Sequence, residues 1–194
     1  MSRRFAITMS LMAALVIPAG AQQKQQIGPV VAEGFSTLTI TKDEVTLSGP
    51  QVHVRTTDGK FEAKAREMVI RFGQGGPQTA VGSLQSAKLT GDAYMLSKAE
   101  PERSTKAWAD SADIDWAGRR LAVLSGNVRI ESEDPTMFKG PFKATADRAI
   151  VSLKPASELQ PGETRIRIES DPGKSRLEFT PLSPKQPEKA KSAH

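Results

Sequence analysis

Asp110, Asp113 and Asp115 form the densest carboxylate cluster in a chain of 194 residues. Neighbouring carboxylates can act as an acid/base pair or hold a divalent cation. Here Asp113 and Asp115 flank Ile114 and precede Trp116. In an extended segment successive side chains point to opposite faces. Both aspartates therefore point away from the side that Ile114 and Trp116 would bury, and a solvated face explains them more simply than catalysis. His53 lies between Val52 and Val54 and points outward by the same rule. The second histidine, His194, ends the sequence, so a histidine-based metal centre lacks ligands. With no cysteine, disulfides, thiolate metal sites and thiol nucleophiles are excluded. G-x-S-x-G, P-loop, dinucleotide-fold glycine and H-E-x-x-H patterns do not occur. The side chains point to binding rather than catalysis, with no cofactor and no metal.

The cations tell a similar story. Lys and Arg number 27 against 22 Asp and Glu, a formal charge of +5. Aromatic residues are 5%, Tyr94 is the sole tyrosine, and no basic stripe is interleaved with rings, so nucleic acid is not an expected partner. At 38% hydrophobic and 25% charged, the chain is neither a membrane bundle nor a disordered polymer.

Residues 1–21 read as a secretory signal. Arg3 and Arg4 form a basic start, residues 5–17 are mostly apolar, Pro18 breaks the run, and Ala19-Gly20-Ala21 offers a small-x-small cleavage site. The run is short of the roughly 20 apolar residues a spanning helix needs. Cleavage after Ala21 and a periplasmic location follow as expectations, and the lack of cysteine fits a compartment where disulfides are optional. Residues 22–35 read as an N-terminal polar segment whose opening run at 22–26 (QQKQQ) is a disordered tail, and 181–194 as a disordered Pro- and Lys-rich tail.

Between them, over residues 36–180, the period is two. Leu38-x-Ile40, Val45-x-Leu47, Val52-x-Val54, Val128-x-Ile130, Ile166-x-Ile168 and Leu177-x-Phe179 alternate as half-buried strands do. Turn residues recur between such runs, as at Asp58-Gly59 and Pro161-Gly162. Residues 62–72 contain good helix formers, but internal repetition makes them a strand. Phe61-x-Ala63-x-Ala65-x-x-Met68-x-Ile70-x-Phe72 matches Thr105-x-Ala107-x-Ala109-x-x-Ala112-x-Ile114-x-Trp116 and Phe142-x-Ala144-x-Ala146-x-x-Ala149-x-Val151-x-Leu153. Each repeat slips by one residue at its middle. A slip flips every later side chain to the wrong face unless a β-bulge absorbs it. Bulges are therefore expected at Arg66-Glu67, Asp110-Ser111 and Asp147-Arg148. A second phrase, Leu-Ser/Thr-Gly, recurs at Leu47, Leu89 and Leu124, and its glycine marks a kink. The predicted fold is all-β: repeated bent antiparallel strands stacked into two facing sheets, open at the ends.

Three consecutive phrases carry a family resemblance. Ala109-Asp110-Ser111-Ala112-Asp113-Ile114 precedes Leu121-Ala122-Val123-Leu124-Ser125-Gly126-Asn127-Val128-Arg129-Ile130, and Ala146-Asp147-Arg148-Ala149-Ile150-Val151 follows. Together they resemble the OstA-like domain of the LptA family, found in LptA, LptC and the N-terminal part of LptD. The likeness covers roughly 36–153. It implies a twisted, open β-jellyroll, or β-taco, whose groove holds the acyl chains of lipopolysaccharide during transport to the outer membrane. It also implies other Lpt envelope proteins as partners and head-to-tail association through edge strands. Two departures are visible. Residues 98–104 (KAEPERS) and 131–141 are longer than minimal turns, and after Leu153 the Leu-Ser-Gly phrase is replaced by Thr164-Arg165-Ile166-Arg167-Ile168.

On this reading a lipid-lining face comprises Ile40, Leu47, Val54, Met68, Ile70, Phe72, Leu89, Met95, Ile114, Trp116, Leu124, Val128, Ile130, Phe142 and Val151. Any closed sandwich needs such a face, so singly these residues read equally as core. Arg55, Lys64, Arg66, Arg71, Lys88, Arg119, Arg120 and Arg129 could meet lipid phosphates at a groove mouth, although scattered surface charge also accounts for them. The alternative function is an envelope scaffold of the same fold that pairs by its edge strands and carries no lipid.

Overall fold

In a computed structural model the chain is described over residues 24–77, 84–100, 103–135, 138–172 and 174–180, with backbone also placed at 14–16. The expected tail at 181–194 and most of the expected leader lie outside these residues. The alternating segments are strands: β1 (Ala14–Val16), β2 (Lys24–Ile27), β3 (Val30–Glu33), β4 (Thr37–Ile40), β5 (Glu44–Thr56), β6 (Phe61–Phe72), β7 (Leu84–Glu100), β8 (Arg103–Asp115), β9 (Leu121–Glu133), β10 (Phe142–Ser152), β11 (Ile166–Glu169) and β12 (Arg176–Glu178). The one described helical element is a 3-10 turn at Ala156–Glu158.

All strands join one continuous antiparallel sheet, not two separate ones. The order is β1-β4-β5-β6-β7-β8-β9-β10-β11. Each end of this meander splits. β4 pairs with 45–48 of β5 while β3 pairs with 53–56 of the same strand. Likewise β11 pairs with 148–151 of β10 and β12 with 143–145. The long strands are thus folded across their middles, and the sheet closes on itself as two walls. The first wall holds 44–48, 67–72, 84–90, 111–115, 121–125 and 148–152. The second holds 52–56, 61–65, 93–97, 104–109, 128–133 and 142–146.

The fold line falls where the repeats slip. Register shifts occur between Lys64 and Glu67, Trp108 and Ser111, and Ala146 and Arg148, at the three expected positions. Opposite them, Gly91-Asp92 and Gly126-Asn127 both take positive φ (79° and 51°, 77° and 47°). Two successive left-handed residues turn the chain sharply, which glycine allows at little cost. Polar contacts tie the outside of each bend. Arg66 Nε lies 3.1 Å from Asp92 Oδ2, Asn127 Nδ2 donates to Asp110 at 3.0 and 3.3 Å, and the Asp147 backbone N–H donates to Ser170 Oγ at 2.8 Å.

Two boundaries differ from the sequence reading. The expected disordered tail at 22–26 is corrected from Lys24 onward: β2 and β3 form a hairpin on β5, and Ile27, Val30 and Ala32 enter the core. On either side of the expected long turn at 98–104, β7 and β8 continue to the facing pair Glu100 and Arg103, with a register shift between Ser97 and Glu100.

Candidate functional site

The inner face of the folded sheet is the candidate site. All fifteen expected lining residues lie on it. Twelve are buried, while Ile40, Trp116 and Phe142 are half-buried against the same cluster. The outer neighbours on the long strands β5 to β10 stay exposed or half-exposed, as the period of two requires; at Leu177 and Phe179 the expected half-burial is corrected, because no further strand covers that end and both are exposed. Alanines occupy the positions beside each bend: Ala65, Ala93, Ala109, Ala112, Ala146 and Ala149 are buried there. Their small volume lets the walls meet.

The walls do meet. The expectation of parted walls is corrected at the middle of the fold, where the cleft between them has a volume of about 20 Å³, room for one water and not for an acyl chain. It lies between Val30, Val54 and Phe61 of the second wall and Met68, Leu84 and Trp116 of the first. Its lining exposes apolar atoms only. Close packing follows from the physics, since an apolar slot left empty forfeits dispersion contacts on both sides.

Opposite the fold line the walls' free ends form a long seam, closed at three places. Near the N-terminal end, an added Cβ at Gly28 would lie 3.3 Å from the Pro77 carbonyl oxygen, and the Phe72 ring is adjacent. In the middle, Phe61 and Trp116 meet edge to face with centroids 4.5 Å apart. Toward the C-terminal end, Asp134, only 5% exposed, is 3.2 Å from Arg103 Nε and 3.6 Å from Arg165 Nη1. Arg165 leads into the first wall and Asp134 ends a strand of the second, so this pair bridges the seam. The sequence reading missed Phe61, Asp134 and Arg165 as seam residues. Phe61 stands in phase with Ala63 and Ala65 and could have been found; the ion pair joins distant segments and leaves no local signal.

The two ends of the fold differ. At the N-terminal end Ile27 and Val30 are buried. At the C-terminal end Leu177 faces Ala144 on the inner side but is 53% exposed, and Phe179 is 52% exposed. Phe138, Phe142 and Phe179 cluster there with centroids 5.7 to 6.5 Å apart.

The polar candidates serve the scaffold. Asp115 accepts the Gly118 and Arg119 backbone N–H groups at 2.8 and 3.1 Å and caps the β8–β9 turn, and these bonds hold its carboxyl below the usual range. Asp113 is exposed, and Asp110 belongs to the bend. His53 is outward but half-buried, with Nδ1 2.8 Å from Glu33 and Nε2 3.1 Å from Glu62. Of the cations, Lys64, Arg66, Arg71, Arg119, Arg120 and Arg129 pair with acidic neighbours outside the groove. An outer concavity of about 580 Å³ runs over Val69, Arg71, Lys88, Asp113, Arg119 and Val123. Burial, and then the charge of Glu62, push the Tyr94 phenol above its ordinary range. Its ring lies beside Trp108, which is covered by Arg129. Among the described residues no three His, Asp or Glu side chains gather as a metal site.

No protein-family model matches the chain, and no curated protein sequence does. Solved structures do match. One is the crystal structure of LptH, the LptA homologous periplasmic component of the lipopolysaccharide transport device of Pseudomonas aeruginosa. The likeness has a TM-score of 0.50 at 14% identity and covers 74% of this chain and 96% of LptH. The folded antiparallel sheet with its single apolar inner face is thus an LptA-like β-jellyroll, as the sequence phrases implied.

Proposed function

We propose that this protein binds lipopolysaccharide or a related lipid in the periplasm and passes it toward the outer membrane, shielding the acyl chains between the two walls. The observation that carries this reading is the unbroken apolar face inside an LptA-like fold. Each CH₂ withdrawn from water contributes about 0.8 kcal/mol. Acyl chains can therefore replace wall-to-wall contacts with chain-to-wall contacts of similar kind. The walls part on loading and close on release, which needs neither ATP nor covalent chemistry at the site. The leader at residues 1–21, with cleavage after Ala21, delivers the chain to that compartment.

Native mass spectrometry of the protein isolated from its own envelope tests the proposal. A mature chain beginning at Gln22 with one lipopolysaccharide-sized adduct is expected. Protein that stays free of lipid after incubation with lipopolysaccharide would refute it.

One observation favours the scaffold alternative. The backbone of β1 lies antiparallel to β4, with Leu15 opposite Leu38, so that edge accepts an added strand. Lpt envelope proteins or a second copy pairing head to tail are the occupants this reading names. A proline at Thr39 would abolish activity on the scaffold reading, whereas larger apolar residues in the lining would not.

A further inference from the structure

This inference rests on the lipid reading above and locates the point of entry. A lipid with a charged head cannot thread wholly into an apolar interior, because each unpaired polar group buried there costs several kcal/mol. The head must remain outside while the chains pass between the walls, so the chains must cross the seam.

The seam is not uniform. Its C-terminal part is fastened by a buried carboxylate shared between two guanidinium groups. Its N-terminal part is covered by the segment at Gly28 and Pro77. Between them the closure is a ring contact, and the apolar cleft opens directly behind it, with both rings in its lining. An edge-to-face pair contributes only about 1 kcal/mol beyond its burial, and an acyl chain restores apolar contact to both rings.

Two lysines adjoin Phe61 through the backbone. Lys60 precedes Phe61, and the Lys98 backbone N–H donates to the Lys60 carbonyl at 2.7 Å. Both lysines are exposed, Lys60 in the bend just before β6 and Lys98 on β7 beside it.

We infer that the Phe61–Trp116 gap is a lateral port for an anionic amphiphile, with an acyl chain passing between the rings and the acidic head resting on Lys60 and Lys98. The port is separate from the exposed end at Leu177 and Phe179, where a chain would enter along the axis of the fold.

The cysteine-free chain makes the test specific. In Phe61→Cys/Trp116→Cys a short bis-methanethiosulfonate staples the gap, and dithiothreitol reopens it. Lipopolysaccharide is the probe. Stapling is expected to weaken binding at least about tenfold, with recovery on reduction. A complementary measurement leaves the gap native. In Trp108→Phe the emission of Trp116 is expected to fall by more than about half with dibromostearate, because bromine quenches on contact. In Trp116→Phe the outer Trp108 is expected to stay unquenched. Lys60→Gln/Lys98→Gln is expected to weaken dodecyl phosphate severalfold and leave dodecyl maltoside unchanged. Full lipopolysaccharide binding by the stapled protein, or bound dibromostearate that leaves Trp116 bright, would overturn the port and point to the Leu177 end. Loss of all binding in wild-type protein would instead overturn the lipid reading itself.

Discussion

Asn127 donates through one side-chain amide to both carboxylate oxygens of Asp110, at 3.0 and 3.3 Å, across the line where β8 and β9 fold. The contact holds a left-handed residue in place beside another, Gly126. The same geometry recurs where Arg66 reaches Asp92 beside Gly91. The recurrent bends therefore combine backbone freedom with an outer polar tie.

A methyl group at the two glycines separates these contributions. At Gly126 an added Cβ would stand 2.2 Å from Asp110 Oδ2 and 3.0 Å from its Cβ, on a short side chain with little room to yield. At Gly91 it would stand 2.6 Å from Arg66 Nε, on a long and exposed chain that can swing aside. Both pay the left-handed penalty of about 1–2 kcal/mol. Gly126→Ala should therefore destabilise by about 2–3 kcal/mol and Gly91→Ala by about 1–2 kcal/mol. Urea unfolding of the two variants checks the ranking.

The buried carboxylate at the seam gives a second prediction. Asp134→Ala leaves Arg103 and Arg165 without that partner. Because those arginines are 20% and 28% exposed, water recovers part of the loss. A destabilisation of about 2 kcal/mol is expected, below the 3–5 typical of fully buried pairs. Asp134→Asn, which keeps an oxygen acceptor, should lose about half as much. Thermal unfolding with calorimetry checks both.

Acid should unfold the protein through a few named carboxylates. The backbone N–H groups of Arg119 and Gly118 hold Asp115 below its ordinary 3.8, and the Thr56 hydroxyl at 2.6 Å does so first for Asp58. The Lys154 ammonium lowers Glu163 below 4.5. A folded value below the unfolded one means that the unfolded chain binds more protons as pH falls. The stabilisation is present above the unfolded values and is lost as pH drops through the lower, folded ones. The unfolding midpoint should therefore decline below about pH 4. Asp115→Asn should flatten that decline and lower the midpoint at neutral pH; a series of thermal scans from neutral to strongly acidic buffer measures both effects.

Much of this architecture was legible one strand at a time. Alternation put Met68, Ile70 and Phe72 on one face, and the slip after Ala65 revealed the bend, because only a bulge keeps both halves of the repeat facing inward. The Asp115-x-x-Gly118 spacing also carries its turn, although the outward side chain was read only as solvated. The hairpin of β2 and β3 escaped notice because its first strand, KQQI, offers a single buried residue, Ile27. The far ends of β7 and β8 are hidden in the sequence because charged residues obscure strands that continue to Glu100 and Arg103. Wall spacing was not legible at all. It depends on how the alanines of one wall meet the other across the fold, and side-chain periodicity carries no information about that distance.

The central claim is that fatty chains enter between the walls, and the two tryptophans are placed to test it, one on each face. A photoreactive benzoylphenylalanine replaces Trp116 on the inner side or Trp108 on the outer side, and each variant is irradiated with lipopolysaccharide. The account predicts a covalent lipid adduct from position 116 and none from position 108. Adducts from 108 alone, or from neither position while lipopolysaccharide remains bound, would contradict it.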